Sequence, residues 1–134
     1  MRLAYLHPIA MAGVLALCIF VLRDGLDIRN GRLLRRPVSS VRHRRRAKLA
    51  LPLVIAGFGS GLYSMGFLRD KTLFNSVHAW LALGALVGFC GGGALGLWLE
   101  RHLDQPIREL HALTASAGLL CGLAAAIAGL AILP

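Results

Sequence analysis

The chain alternates between long apolar stretches and short polar connections. The stretches cover about residues 3–22, 49–68, 73–99 and 107–133. A helix needs roughly 20 apolar residues to cross a bilayer, and each stretch meets or approaches that length. The pattern therefore predicts an all-α protein, an integral membrane four-helix bundle whose single transmembrane domain covers residues 1–134.

Composition supports a membrane protein. Hydrophobic residues make up 57% of the 134, and the mean hydropathy is +0.67, which a soluble domain of this size does not need. The first stretch follows Arg2 as the core of a signal peptide would. However, Arg23 and Asp24 come after it where a small-x-small cleavage site is expected, so we expect it to remain a span.

The basic residues are distributed unevenly, and the net charge is +9. Ten of the 15 lie between the first two stretches and two more in the third connection, whereas the opposite side has only three. The positive-inside rule then places the basic loop in the cytoplasm and both termini outside. A basic run such as residues 42–48 beside a span usually fixes topology and contacts anionic headgroups, so we expect membrane lipid as a partner and no nucleic acid.

Histidines stand near the starts of all four predicted helices. They are His7, His43, His78 and His111. Because successive helices start on alternate faces, His7 and His78 share one face and His43 and His111 share the other. Imidazole is a common axial ligand of haem iron. The placement therefore predicts haem b sites, one or two, held by facing histidine pairs that also serve as the iron ligands.

The depth of each histidine makes the two pairs unequal. His78 stands among apolar residues and is expected inside the bundle, where an ionisable group indicates function. His43 lies six residues before Leu49, which is about 9 Å outside the apolar run if the helix continues outward. A lone histidine there is more often a surface residue than a ligand, and we expect the same of His102.

Small residues line the faces that carry these histidines. The face of His111 continues through Ala115, Gly118, Gly122, Ala125 and Gly129. Such a face leaves room for a flat macrocycle, and it equally allows close helix packing. Both explanations stay open. No Ser/His/Asp set, P-loop or dinucleotide motif occurs, so hydrolase and nucleotide-driven functions are unsupported.

Two short motifs resemble those of a known family. Residues 6–11, LHPIAM, resemble the HP-x-x-M opening of the first core helix of the b-561 type transmembrane cytochromes. Residues 76–80, SVHAW, resemble the S-x-H-x-W that starts their third core helix, and residues 108–111 resemble the start of the fourth. The chain is also similar to a small bacterial and cyanobacterial family of unknown function, DUF-4079, with the same four-helix core.

This resemblance implies bis-histidine haems b and electron transfer across a bacterial inner or thylakoid-type membrane, from a small donor such as ascorbate or quinol. It implies that His7 and His78 bind the outer haem and His111 the cytoplasmic one. The family's ligand position on helix 2 corresponds to Ala47, so either His43 substitutes or the cytoplasmic site is lost. A transmembrane oxidoreductase activity rests on the resemblance alone.

A second hypothesis is a non-enzymatic accessory subunit. A small glycine-rich bundle would pack in a larger photosynthetic or respiratory complex, or as a homodimer. Its histidines would then hold haem, chlorophyll or nothing.

Overall fold

The computed structural model describes residues 5–68, 72–102 and 104–131. Its helices are α1 Leu6–Leu33, α2 Val41–Tyr63, α3 Val77–Leu99 and α4 Gln105–Leu130, and a π-helical segment, Ser64–Leu68, continues α2. All four are long and apolar enough to cross a membrane. The predicted all-α four-helix bundle is confirmed, and the chain has the character of an integral membrane protein.

The first two helices extend well beyond their apolar stretches. α1 continues past residue 22 to Leu33, and α2 already begins at Val41. α1 ends in a Schellman turn: Arg35 has φ +52°, and the Arg36 N–H donates to the Gly31 carbonyl over 2.8 Å. Gly31 itself is buried against Val38, so this glycine serves a close approach rather than a turn.

The helices form a ring in chain order. α1 contacts α2 and α4, and α3 also contacts both α2 and α4, the α3–α4 interface being the most extensive. In the described part of the chain, the diagonal pairs α1/α3 and α2/α4 make no backbone approach. A cluster of Cys18, Ala50, Val54 and Leu119 is buried at the centre of the bundle. Residues on diagonally opposite helices therefore face each other across the central axis of the bundle.

Glycines bring α3 and α4 into backbone contact. A Cβ on Gly118 would lie 2.9 Å from the backbone nitrogen of Phe89 and 3.0 Å from the carbonyl carbon of Gly88. A Cβ on Gly92 would lie 3.1 Å from that of Ala115. Much of the small-residue face of His111 therefore serves close helix packing, which is one of the two explanations that the sequence left open.

Charged side chains join α1 to the beginning of α2. Asp24 is only 4% exposed, and both of its carboxylate oxygens accept from Arg46, at 2.9 and 3.0 Å. Arg42 Nε lies 3.1 Å from the same carboxylate. These contacts explain why the polar part of α1 remains helical and packed. They form a clamp of Asp24, Arg42 and Arg46 at one end of the bundle.

A second ion pair joins α2 to the end of α3 at the same end of the bundle. Lys48 Nζ lies 2.9 Å from Glu100, and the hydrogen bond from Lys48 lowers the pKa of the Glu100 carboxyl. Glu100 is exposed, so solvent screens this pair and it contributes little to stability.

Gly118→Ala should destabilise the bundle, because the added methyl group meets backbone that cannot move aside. We expect a loss of about 1–3 kcal/mol, measured by unfolding in detergent. Gly91→Ala is the matched control, since a Cβ there meets nothing within 4 Å. Its better helix propensity should leave stability unchanged or slightly raised. Equal effects of the two substitutions would contradict the close α3–α4 packing.

Asp24→Ala should loosen α1 from α2, because it leaves two guanidinium groups without their carboxylate. Hydrogen bonds to charged groups contribute roughly 1.5–3 kcal/mol each, so we expect a loss of about that size in the same unfolding measurement. Asp27→Ala, at an exposed position on the same helix, is the control and should have little effect. A loss as large in Asp27→Ala as in Asp24→Ala would rule out the clamp.

Candidate functional site: four imidazoles held by neighbouring helices

Four of the five histidines are drawn into the bundle. His7, His43, His78 and His111 are half-buried, near the starts of α1, α2, α3 and α4. His102 is exposed and stacks on Trp98 with the ring centres 4.6 Å apart. His102 is thus exposed as expected, whereas His43, which the sequence placed outside the apolar run, is half-buried.

Ser76 explains the position of His78 at the start of its helix. The Ser76 side chain accepts a hydrogen bond from the Ala79 N–H over 3.2 Å and so caps α3. The cap fixes where α3 begins, and His78 becomes its second residue. The serine of the S-x-H-x-W motif thus has a structural role of its own.

Three imidazoles donate directly to a backbone carbonyl of the adjacent helix. His43 Nδ1 lies 3.0 Å from the Val21 oxygen, His78 Nδ1 2.8 Å from that of Ala125, and His111 Nδ1 2.7 Å from that of Gly92. A carbonyl only accepts, so each Nδ1 carries the proton. In a neutral ring, Nε2 then has the free lone pair and is the nitrogen available to a metal.

His7 reaches the same kind of carbonyl through a serine. Its Nδ1 lies 3.2 Å from Ser60 Oγ, and the Ser60 hydroxyl donates to the Gly57 carbonyl over 2.8 Å. Because the only hydroxyl proton is used in that bond, Ser60 accepts the proton of His7 Nδ1. All four rings therefore have the same tautomer.

A glycine makes each of these contacts possible. Every ring packs on a glycine that lies four residues after the carbonyl concerned, where a Cβ would be 3.0–3.4 Å from the ring. The pairs are His7 on Gly61, His43 on Gly25, His78 on Gly129 and His111 on Gly96. A Cβ tilts toward the helix N-terminus, so any larger residue would cover that preceding carbonyl.

The arrangement repeats four times at one fixed spacing. In every helix the glycine follows the histidine by 18 residues. Eighteen residues are five full turns, so each histidine and its own helix's glycine share a face. α1 and α2 exchange histidine and glycine reciprocally, and so do α3 and α4. This His-x17-Gly repeat is present in the sequence. Gly25, however, lies outside the first apolar stretch, so hydropathy alone does not place it on the same helix as His7.

The imidazoles also meet across the diagonals. The ring centres of His43 and His111 are 6.2 Å apart and the ring planes are nearly perpendicular, at 88°. His7 and His78 lie near the starts of the other diagonal pair of helices, α1 and α3. The structure thus brings His43 and His111 together, as the alternating helix starts suggested.

His43 lies deeper in the fold than its distance from the apolar stretch suggested. α2 begins at Val41 and α1 runs on to Leu33, so the bundle continues around His43. Arg42 and Arg46, which flank it, both bind the buried Asp24 beside Gly25. The clamp therefore holds the His43 ring against α1, and His43, not the Ala47 position, supplies the imidazole that faces His111.

The donor set is two imidazoles at each end of the bundle. Within the described ranges, no group of three or more His, Cys, Asp or Glu side chains could hold a metal ion. Two neutral nitrogens are a poor site for a bare ion, but two imidazoles would suffice to hold the iron of a haem. The residues present thus fit haem. No protein-family model, curated protein or solved structure matches this chain.

Proposed function

We propose that this protein is a transmembrane b-type cytochrome that binds haem between the diagonal histidine pairs and passes single electrons across the membrane. The spacing of His43 and His111 is the observation that carries the proposal. Their rings lie close together across the α2/α4 diagonal, so the two residues would together hold the iron of one haem. The observed separation is 6.2 Å.

The hydrogen bonds on Nδ1 support the same proposal. Metal-binding histidines commonly donate their second ring nitrogen to a carbonyl, which fixes ring orientation and increases ligand basicity. Here those bonds exist for all four rings, three directly and one through Ser60. Bound haem would supply one-electron chemistry between its ferric and ferrous states. The chain would supply the axial nitrogens, their orientation and an apolar surrounding.

The repeat spacing supports transfer across the membrane. Each helix carries a histidine at one end and the glycine that receives its neighbour's histidine 18 residues away. That distance is about 27 Å along a helix. The hydrocarbon core of a bilayer is about 30 Å thick. Two sites with this separation would lie near opposite membrane surfaces, as electron exchange with partners on both sides requires.

Charge suggests the orientation and the kind of donor. The clamp and most arginines lie at the end that carries His43 and His111, which we place in the cytoplasm. An open groove of about 330 Å³ at this end is lined by Val41, Arg44, Arg45, Lys48 and Glu100. Its basic rim favours a small anionic electron donor, of which ascorbate is one example.

The purified protein should carry haem b with sharp bands in a reduced-minus-oxidised absorption spectrum. His78→Ala should remove about half of the bound haem, because it deletes one of the two ligands of one site. His102→Ala is the control, since that ring is exposed and stacked on Trp98, and it should leave the haem content unchanged.

A spectrum without b-type bands would refute haem binding. An unchanged haem content in His78→Ala would refute the ligand role of His78. A haem-free protein that copurifies with one large membrane complex would instead support an accessory subunit.

The diagonal pairing predicts which substitutions share an effect. His43→Ala and His111→Ala should each remove the same spectral component, and the double variant should lose no more than either single one. His7→Ala should remove the other component, together with His78→Ala. Redox titration monitored by absorbance resolves the components. Loss of different components in His43→Ala and His111→Ala would disprove the pairing.

A further inference from the structure

Ser60 distinguishes one of the four imidazoles from the others. His43, His78 and His111 donate straight to a carbonyl that lies four residues before a glycine. His7 should by the same rule donate to Gly57, four residues before Gly61, yet the Ser60 hydroxyl stands between them. A fourfold repeated contact is therefore interrupted at a single position by one side chain.

The acceptor on Nδ1 affects how strongly Nε2 donates to a metal. A strong acceptor draws the Nδ1 proton away from the ring and makes the ring a more basic ligand. A peptide carbonyl is a stronger acceptor than a serine hydroxyl, and the 3.2 Å contact of His7 is the longest of the four. We therefore expect Nε2 of His7 to donate less strongly to a metal than Nε2 of the other three rings.

Ligand basicity determines which oxidation state of iron is favoured. The ferric ion has one more positive charge than the ferrous ion, so a more basic ligand stabilises it and lowers the reduction potential. The pair His43/His111 has two carbonyl acceptors, whereas the pair His7/His78 has one carbonyl and one hydroxyl. This one difference in acceptor favours the ferrous state at the His7/His78 site.

We infer that Ser60 is a positioning residue that raises the reduction potential of the His7/His78 site above that of the His43/His111 site. The inference rests on the proposed haem binding. Electrons move toward the higher potential, so Ser60 biases transfer from the end with the basic groove to the opposite end. The partner at the His43 end is then the reductant, and an oxidant of higher potential acts at the His7 end.

Redox titration of the haem-loaded protein tests this. The wild-type protein should show two midpoints, and His7→Ala should remove the component with the higher one. Ser60→Ala removes the hydroxyl that stands between His7 and the Gly57 carbonyl, so His7 should donate to that carbonyl as the other three imidazoles do, and the higher midpoint should fall. At the wild-type midpoint potential the reduced fraction of that component should then be less than one half. The lower midpoint should stay unchanged.

Two further variants separate this role from a purely structural one. Ser60→Thr keeps the hydroxyl and should restore the wild-type midpoint. Ser116→Ala removes a serine on α4 to which none of the four imidazoles is bonded, and it should change neither component. The low-spin electron paramagnetic resonance signal of the His7/His78 component should shift in Ser60→Ala at unchanged haem content.

The outcomes distinguish this inference from the proposed function. A wild-type protein without haem overturns both. If the wild-type protein has two haem components and the His43/His111 pair has the higher midpoint, only the role of Ser60 is overturned. The role of Ser60 also fails if Ser60→Ala leaves the His7/His78 midpoint unchanged or raises it.

Discussion

Access of a histidine side chain to a backbone carbonyl of the neighbouring helix is the constraint on which the rest of this structure depends. Helical carbonyls already accept a hydrogen bond within their own helix, and side chains normally cover them. Glycine at the right position exposes one, and the imidazole ring fills the space where a Cβ would stand. One small residue therefore fixes a ring's location, tautomer and orientation together.

That constraint links the spacing of the site to the thickness of a membrane. Each helix both presents a histidine and receives one, so both positions must lie on its inward face. Five full turns satisfy this requirement, and they correspond to about 27 Å. The extension of α1 to Leu33 and the early start of α2 at Val41 follow from the same need, because without them Gly25 and His43 could not meet.

The sequence predicted the fold class and the approach of His43 to His111, but not how the rings are held. Apolar stretches identify four helices because the bilayer demands a minimum length. The helices α1 and α2 extend beyond these stretches, since Asp24 with Arg42 and Arg46 keeps a charged segment packed, and a hydropathy pattern does not record ion pairs. The role of Ser60 depends on a side-chain hydrogen bond that no spacing indicates.

The two helix hairpins achieve the same contact with different means of packing. α3 and α4 meet backbone to backbone through Gly88 and Gly118, and their histidines bond to carbonyls directly. α1 and α2 are joined by the charged clamp at one end, and at the other by the Ser60 bridge beside Met11, which packs on Gly57. A haem held between the hairpins would have one axial ligand from each. The α3–α4 hairpin holds both of its imidazoles on carbonyls directly, whereas the α1–α2 hairpin holds one directly and one through Ser60.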